Sequence, residues 1–271
     1  MHVDNKIFNH LKVHTQYSIC EGAIKINELA EYCKSKKVKT LGLADSFNLC
    51  GALEFSEKIS KVGTHPIIGT QINVNSSNII GKVTLYATSE VGYKNLTKLS
   101  SISYLKNDPT KDPSCSLQDL LKNNEGLIFL TGNHTNFFGK LFYKNKLKDF
   151  KQILTSINNI FKDRLYIEIQ RHNEYQEKNF ENYLLNISKL LQIPLIASQE
   201  IFYLNKDMYE AHDALICIGE KSYVDDKNRF KYSDQHYFKT QEELETLYSD
   251  IPEALENNYN FHLRFSFKPK K

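Results

Sequence analysis

About seven short apolar runs, separated by stretches of helical spacing, constrain this chain more than any other feature. The runs cover residues 10–14, 40–44, 66–74, 83–88, 126–131, 164–169 and 194–198, all of strand length. Between them, Ile26, Leu29, Ala30 and Cys33 follow the i, i+3, i+4, i+7 rule for one buried helix face, and 90–105, 147–161 and 176–191 read the same way. Alternating strands and helices predict parallel neighbours, because a parallel pair needs a long, right-handed crossover. Seven or so such units point to a closed α/β barrel. Periodicity alone leaves a doubly wound open sheet as the alternative.

No Gly- or Pro-rich linker and no internal repeat divides the chain, so one domain over 1–271 is expected, with a barrel over roughly 6–265 and a basic tail at 266–271 leading to a following domain. The least regular segments should be 106–114, KNDPTKDPS, whose Asp-Pro pairs favour turns, and the tail from Ser266. A net charge of +3, from 35 Lys+Arg against 32 Asp+Glu, gives no electrostatic case for a dedicated nucleic-acid binder. Cys20, Cys33, Cys50, Cys115 and Cys217 are odd in number and lack a CxxC pair, which predicts reduced thiols rather than a disulfide framework or a zinc ribbon. No run approaches the roughly 18 apolar residues of a membrane helix, and the first residues show no leader pattern, so a cytoplasmic protein without a membrane partner is expected. Neither GxGxxG nor GxxxxGK[ST] occurs.

In a barrel of this class, functional groups gather at the carboxyl ends of the strands. His14, Asp45, Ser46, Gln71, Asn133, His134, Arg171, His172 and Glu200 take such positions.

Residues 10–74, HLKVHTQYSICEGAIKINELAEYCKSKKVKTLGLADSFNLCGALEFSEKISKVGTHPIIGTQINV, carry a resemblance that continues in order to the other end of the chain. It runs through EVGYKNLTKL (90–99), RLYIEIQ (164–170), PLIASQEIFYL (194–204), EAHDALICI (210–218), DDKNRFKYSDQHYF (225–238) and LYSDIPEALEN (247–257). Together they closely resemble the amino-terminal PHP domain of bacterial DNA polymerase III alpha subunits. The resemblance implies a distorted (β/α)7 TIM-like barrel of the PHP type. Metal-binding PHP proteins hold their ions with His, Asp, Glu and sometimes Cys at the strand ends, and every such ligand must offer a lone pair.

Carried over position by position, His14 and Asp45 are kept. Lys12, Ser46 and Phe202 stand where metal-binding relatives have His, Gln71 stands for Glu, Asn133 for Cys or His, and Glu200 for Asp. An ammonium has no acceptor and a phenyl ring has no coordinating atom. The resemblance therefore implies a degenerate metal site with no catalytic residue, no bound metal and no cofactor in this domain. Mg2+ would belong to the polymerase, a DNA-directed nucleotidyltransferase whose acidic palm motif is absent here. The resemblance implies instead a scaffold that docks the proofreading 3′–5′ exonuclease subunit within the alpha chain and the nucleoid-associated replisome, with DNA reached only through the parent polymerase.

Two rival readings stand beside it. One is a stand-alone metal-dependent phosphoesterase, histidinol-phosphatase-like or exonuclease-like, using a shifted site built from His134, His172 and His212. The other is direct DNA binding by 264–271, RFSFKPKK, for which a solvated chain end is the ordinary alternative. Four local expectations complete the reading. Lys12 should pair with Asp45, Glu200 or both. Asp45 should serve that lysine or cap the turn after its own strand. His14 should be a partly buried histidine satisfied by hydrogen bonds rather than a residual ligand. His212 and Asp213 should be structural members of a helix.

Overall fold

The computed structural model describes residues 6–270. All the apolar runs form strands: β1 (His10–Val13), β2 (Thr40–Leu43), β3 (His65–Ser76), β4 (Ile79–Ala87), β6 (Leu127–Leu130), β7 (Leu165–Ile169) and β8 (Leu195–Ala197). Two shorter strands had no clear signal, β5 (Ser114–Ser116) and β9 (Glu200–Ile201). Among the helices, α3 (Glu90–Leu105) and α6 (Leu147–Phe161) match their predicted spans, α7 (Glu177–Leu191) begins one residue later, and the Ile26 pattern becomes α1 (Ile26–Lys36). The cause is a continuous apolar stripe. In α6, Phe150, Ile153, Leu154, Ile157 and Phe161 are all buried, three or four positions apart.

The strands lie in the order β8-β7-β6-β4-β3-β2-β1-β9, with β5 added beside β3. Only Ser198 and Gln199 separate β8 from β9, so one bent run of chain pairs with β7 and then with β1. That run curls the mostly parallel sheet onto itself as a distorted TIM-like barrel. Leu11, Ile67, Tyr86, Ile128, Leu130, Tyr166 and Ile196 pack as one cluster, joined by Phe261 and Phe265. The close approach of β1 and β2 depends on Gly42, where a Cβ would fall 2.1 Å from the Leu11 carbonyl oxygen.

The expectation of uniformly parallel pairing is corrected at one place. β3 and β4 form an antiparallel hairpin, from Gly69 opposite Tyr86 to Ser76 opposite Ile79, and β4 also runs antiparallel to β6. Only Ser77 and Asn78 join the two strands, both at positive φ (51° and 58°), too short a link for any crossover helix and the usual conformation of a two-residue hairpin turn.

The tail from Ser266 has no helix or strand, as expected, yet up to Lys270 it is held against the fold; Lys271 lies outside the described residues, as do residues 1–5 of the expected single domain. Phe265 is buried against Phe261, and the Phe267 ring lies 5.5 Å from Tyr93. Ser56 donates to the Pro269 carbonyl (2.8 Å), Lys268 donates to Ser60 (3.0 Å), and Arg264 pairs with Asp163 (2.6 Å). Phe265 belongs to the core cluster and Phe267 packs half-buried against Tyr93. In 106–114 the turn is real, with Asp108 capping Thr110, but Ser114 already belongs to β5. Among the described residues, no helix is long and apolar enough to cross a membrane.

Candidate functional site: a buried polar network at the strand ends

Glu200, in β9, is the hub of the carboxyl-end face. Its Oε1 accepts from Gln71 Nε2 (2.6 Å) and faces His14 Nε2 (3.0 Å), and its Oε2 accepts from Asn133 Nδ2 (3.2 Å). Lys12 is the register neighbour of Glu200 in the adjacent strand, and its ammonium lies 3.7 Å from Oε1. Burial works to raise the Glu200 carboxyl, but the charge of Lys12 and the hydrogen bond from His14 outweigh it and hold the group well below the usual carboxylate range.

Lys12 is fully buried and sits 3.5 Å from Glu168 Oε2 in β7. The expected pairing therefore needs correction. Glu168, which the sequence reading passed over, is the nearer partner, Glu200 is held at ion-pair range without a direct hydrogen bond, and Asp45 takes no part. Glu168 also accepts from the Gly132 amide (3.0 Å) and from Gln170 (2.8 Å). Its signal was a Glu inside the apolar strand run LYIEI, a position whose side chain must find a buried partner.

Asp45 caps a different turn from the expected one. Its oxygens accept from the Thr15 amide (2.6 Å), the Thr15 hydroxyl (2.8 Å) and the Ser18 hydroxyl (2.7 Å), all in the turn after β1. Burial pushes its carboxyl up despite those donors. His14 is fully rather than partly buried, with Nδ1 on Ser18 (3.2 Å). Phe202 fills the space beside it, ring centroids 4.6 Å apart.

Ser46 lies 3.4 Å from Gln71 Oε1 and meets two residues absent from the sequence reading. Lys82, from β4, reaches Glu21 (2.5 Å) and Ser46 (3.0 Å). Its strand was taken for part of a βα unit, so its approach to this face could not be anticipated. Burial tends to raise the Glu21 carboxyl, yet Lys82 holds it below its ordinary value.

The three histidines of the shifted-site reading do not converge. His134 faces Glu174 (3.5 Å). His172 stacks on His236 at 3.9 Å, with Nε2 against Gln170 (3.2 Å), and burial holds it well below the ordinary imidazole value. His212 meets the Glu21 carbonyl (2.8 Å), while Asp213, beside it in α8 (Tyr209–Glu220), makes a paired contact with Arg229. Arg171 turns away to Glu181 (2.8 Å) and Asp250 (2.6 Å).

The residues at the carried-over positions do not fit a metal cluster. One of them is an ammonium, 3.7 Å from Glu200, Gln71 offers its NH2 to Glu200, and Phe202 has no donor atom. Such a network can order the strand ends.

A family model described as "PHP domain" matches residues 10–172. The chain belongs to the PHP family. Its PHP barrel is similar to curated proteins named "DNA polymerase III subunit alpha": that of Caulobacter vibrioides is 35% identical over 97% of this chain and 24% of the relative. For Rickettsia bellii the figures are 34%, 96% and 22%, and for Borreliella burgdorferi 35%, 92% and 23%. The chain thus spans about a quarter of the length of the curated relatives it matches. Among solved structures, an amidohydrolase from Chromobacterium violaceum with bound sulfate and no metal aligns with a TM-score of 0.49 at 10% identity, over 76% of this chain and 96% of its own, a likeness too slight to reason from.

Proposed function

We propose that this PHP-family chain is the PHP portion of a replicative DNA polymerase III alpha subunit, in which it hydrolyses nothing and serves as a scaffold docking the proofreading 3′–5′ exonuclease subunit. The observation that carries the non-catalytic part is Lys12, fully buried between Glu168 and Glu200 on the face where a PHP hydrolase needs cations. Metal-assisted hydrolysis requires an ion to generate hydroxide and clamp a phosphate; an ammonium cannot generate hydroxide in that way, and this one is shut away from any phosphate between two carboxylates. The polymerase and exonuclease parts are supported by the likeness to alpha subunits, and Mg2+ chemistry would belong to the remainder of that longer chain. Direct DNA binding is the weaker reading, because the charge is near balance and the side chains of Arg264, Phe265, Phe267 and Lys268 are engaged within the fold.

Purified protein is expected to carry fewer than two zinc, manganese or iron ions per chain and to leave generic phosphate esters unhydrolysed. It should co-elute with the exonuclease subunit of its own replisome in size-exclusion chromatography, and its hold on single-stranded DNA should vanish at moderate salt. Two or more ions by elemental analysis, with turnover lost in His14→Ala, would return the hydrolase reading. Indifference to the exonuclease combined with salt-resistant DNA binding would favour a nucleic-acid module.

A further inference from the structure

Beside the Glu200 network, three segments bring metal-ligating side chains together in a second place. His134 follows β6, Glu174 follows β7, and Glu177 opens α7. One ligand atom from each lies within 4.8 Å of the other two, a spacing that no other group of His, Cys, Asp and Glu reaches among the described residues. We propose that His134, Glu174 and Glu177 form a mononuclear site for a divalent transition-metal ion, with Zn2+ as the fitting probe.

Three observations point there. The first is the distance between His134 Nε2 and Glu174 Oε2, 3.5 Å. A charge-assisted hydrogen bond would close to roughly 2.7–2.9 Å. Two ligands bound at about 2.0–2.2 Å to a tetrahedral ion stand about 3.4 Å apart.

The second is the orientation of the acids. The far oxygen of Glu174 meets His236 Nε2 (3.1 Å), whose Nδ1 is fixed on the Glu200 carbonyl (3.1 Å). Glu177 accepts from the His172 and Asn173 amides (2.8–3.0 Å). Both carboxylates are therefore held by outer partners of the kind that orient metal ligands.

The third is charge. Among the described residues, no lysine or arginine comes within ion-pair distance of Glu174 or Glu177, although Arg171, Lys178 and Lys12 all have acidic partners nearby. Apart from His236, which is charged only when protonated, the two neighbouring carboxylates face no cation and repel each other, and imidazole with carboxylate oxygens is a donor set that takes zinc. A bound ion would pin the loop after β6 to the start of α7. This structural role stands apart from the scaffold reading, and a single ion is compatible with it.

The test is calorimetric titration of the whole chain with Zn2+, with the more accessible thiols removed from every sample by Cys20→Ser and Cys50→Ser. The expected result is saturation at one Zn2+ per chain with a rise in unfolding temperature, as binding to the folded state alone requires. His134→Gln and Glu174→Gln should each weaken binding about tenfold or more, while His212→Gln should not. Glu174→Gln keeps an acceptor for His236, so its far-UV circular dichroism should match the parent and loss of binding in it is not loss of fold. No saturable binding below ~100 µM, an affinity too weak to hold an ion, would overturn the proposal. So would binding that is unchanged in both variants, or weakened equally by His212→Gln.

Discussion

Lys12→Ala is expected to lower the unfolding free energy by about 3–5 kcal/mol, the cost of removing one partner from a buried charge pair. The lysine is wholly inaccessible, with Glu168 Oε2 at 3.5 Å and Glu200 Oε1 at 3.7 Å. Its removal strands two carboxylates in the barrel and opens a cavity the length of a lysine stem. The attraction matters more than the packing, so Lys12→Met, which keeps most of the volume, should cost nearly as much as the alanine. Adding Glu168→Gln to Lys12→Met should restore part of the loss, because one of the stranded charges is gone. Urea unfolding at neutral pH measures all three variants. A change below about 0.5 kcal/mol for Lys12→Ala is what a surface substitution gives and would remove the basis for a fixed internal cation.

Much of the barrel was legible because strand and helix periods differ and the apolar runs kept to them. What the runs could not show was partner and direction. Ser77 and Asn78 turn β3 back on itself, and a reading that counted only apolar runs took β4 for another parallel unit. That error hid Lys82, whose place on the site face follows from the hairpin. The strand-end residues His14, Ser46, Gln71, Asn133 and Glu200 do share one network, since the ends of parallel strands converge whatever their chemistry. Pair identities were out of reach. Between Asp45, Glu168 and Glu200 the choice of partner for Lys12 depends on ångström-scale placement, and β1 carries a register irregularity between His10 and Val13, the kind of feature that re-aims side chains. The tail is irregular as expected, but where it packs was out of reach for a related reason: Phe265 and Phe267 are as compatible with anchoring as with exposure, and only the position of Tyr86, Phe261 and Tyr93 decides.

The chain is expected to lose stability steeply on mild acidification, and buried histidines are the cause. His10 is enclosed beside Phe238, ring centroids 3.8 Å apart, and burial, followed by the nearby charge of Lys239, brings its pKa down to about 3. Burial likewise lowers His212 to about 4 and takes His172 well below its ordinary value. In the unfolded chain each histidine binds its proton near pH 6.5. As the pH falls below that value, the unfolded state gains protons that the folded state refuses, so stability drops by about 1.4 kcal/mol per pH unit for each such residue until its folded pKa is reached. At about pH 5.5 the three together remove roughly 4 kcal/mol relative to neutral pH. Glu177 acts in the opposite direction. Burial pushes it up to about 7, so it is stabilising on acidification between that value and the unfolded one, and it offsets roughly 2 kcal/mol of the loss at the same pH. The net fall should appear as a urea midpoint that declines from about pH 6.5 downward, well above the range where ordinary carboxylates titrate. His10→Gln isolates one contributor: whatever the substitution costs at neutral pH, the variant should lose about 2 kcal/mol less than the parent between roughly pH 7.5 and pH 5. Parallel pH curves for the two proteins would mean that His10 is protonated in the folded state after all.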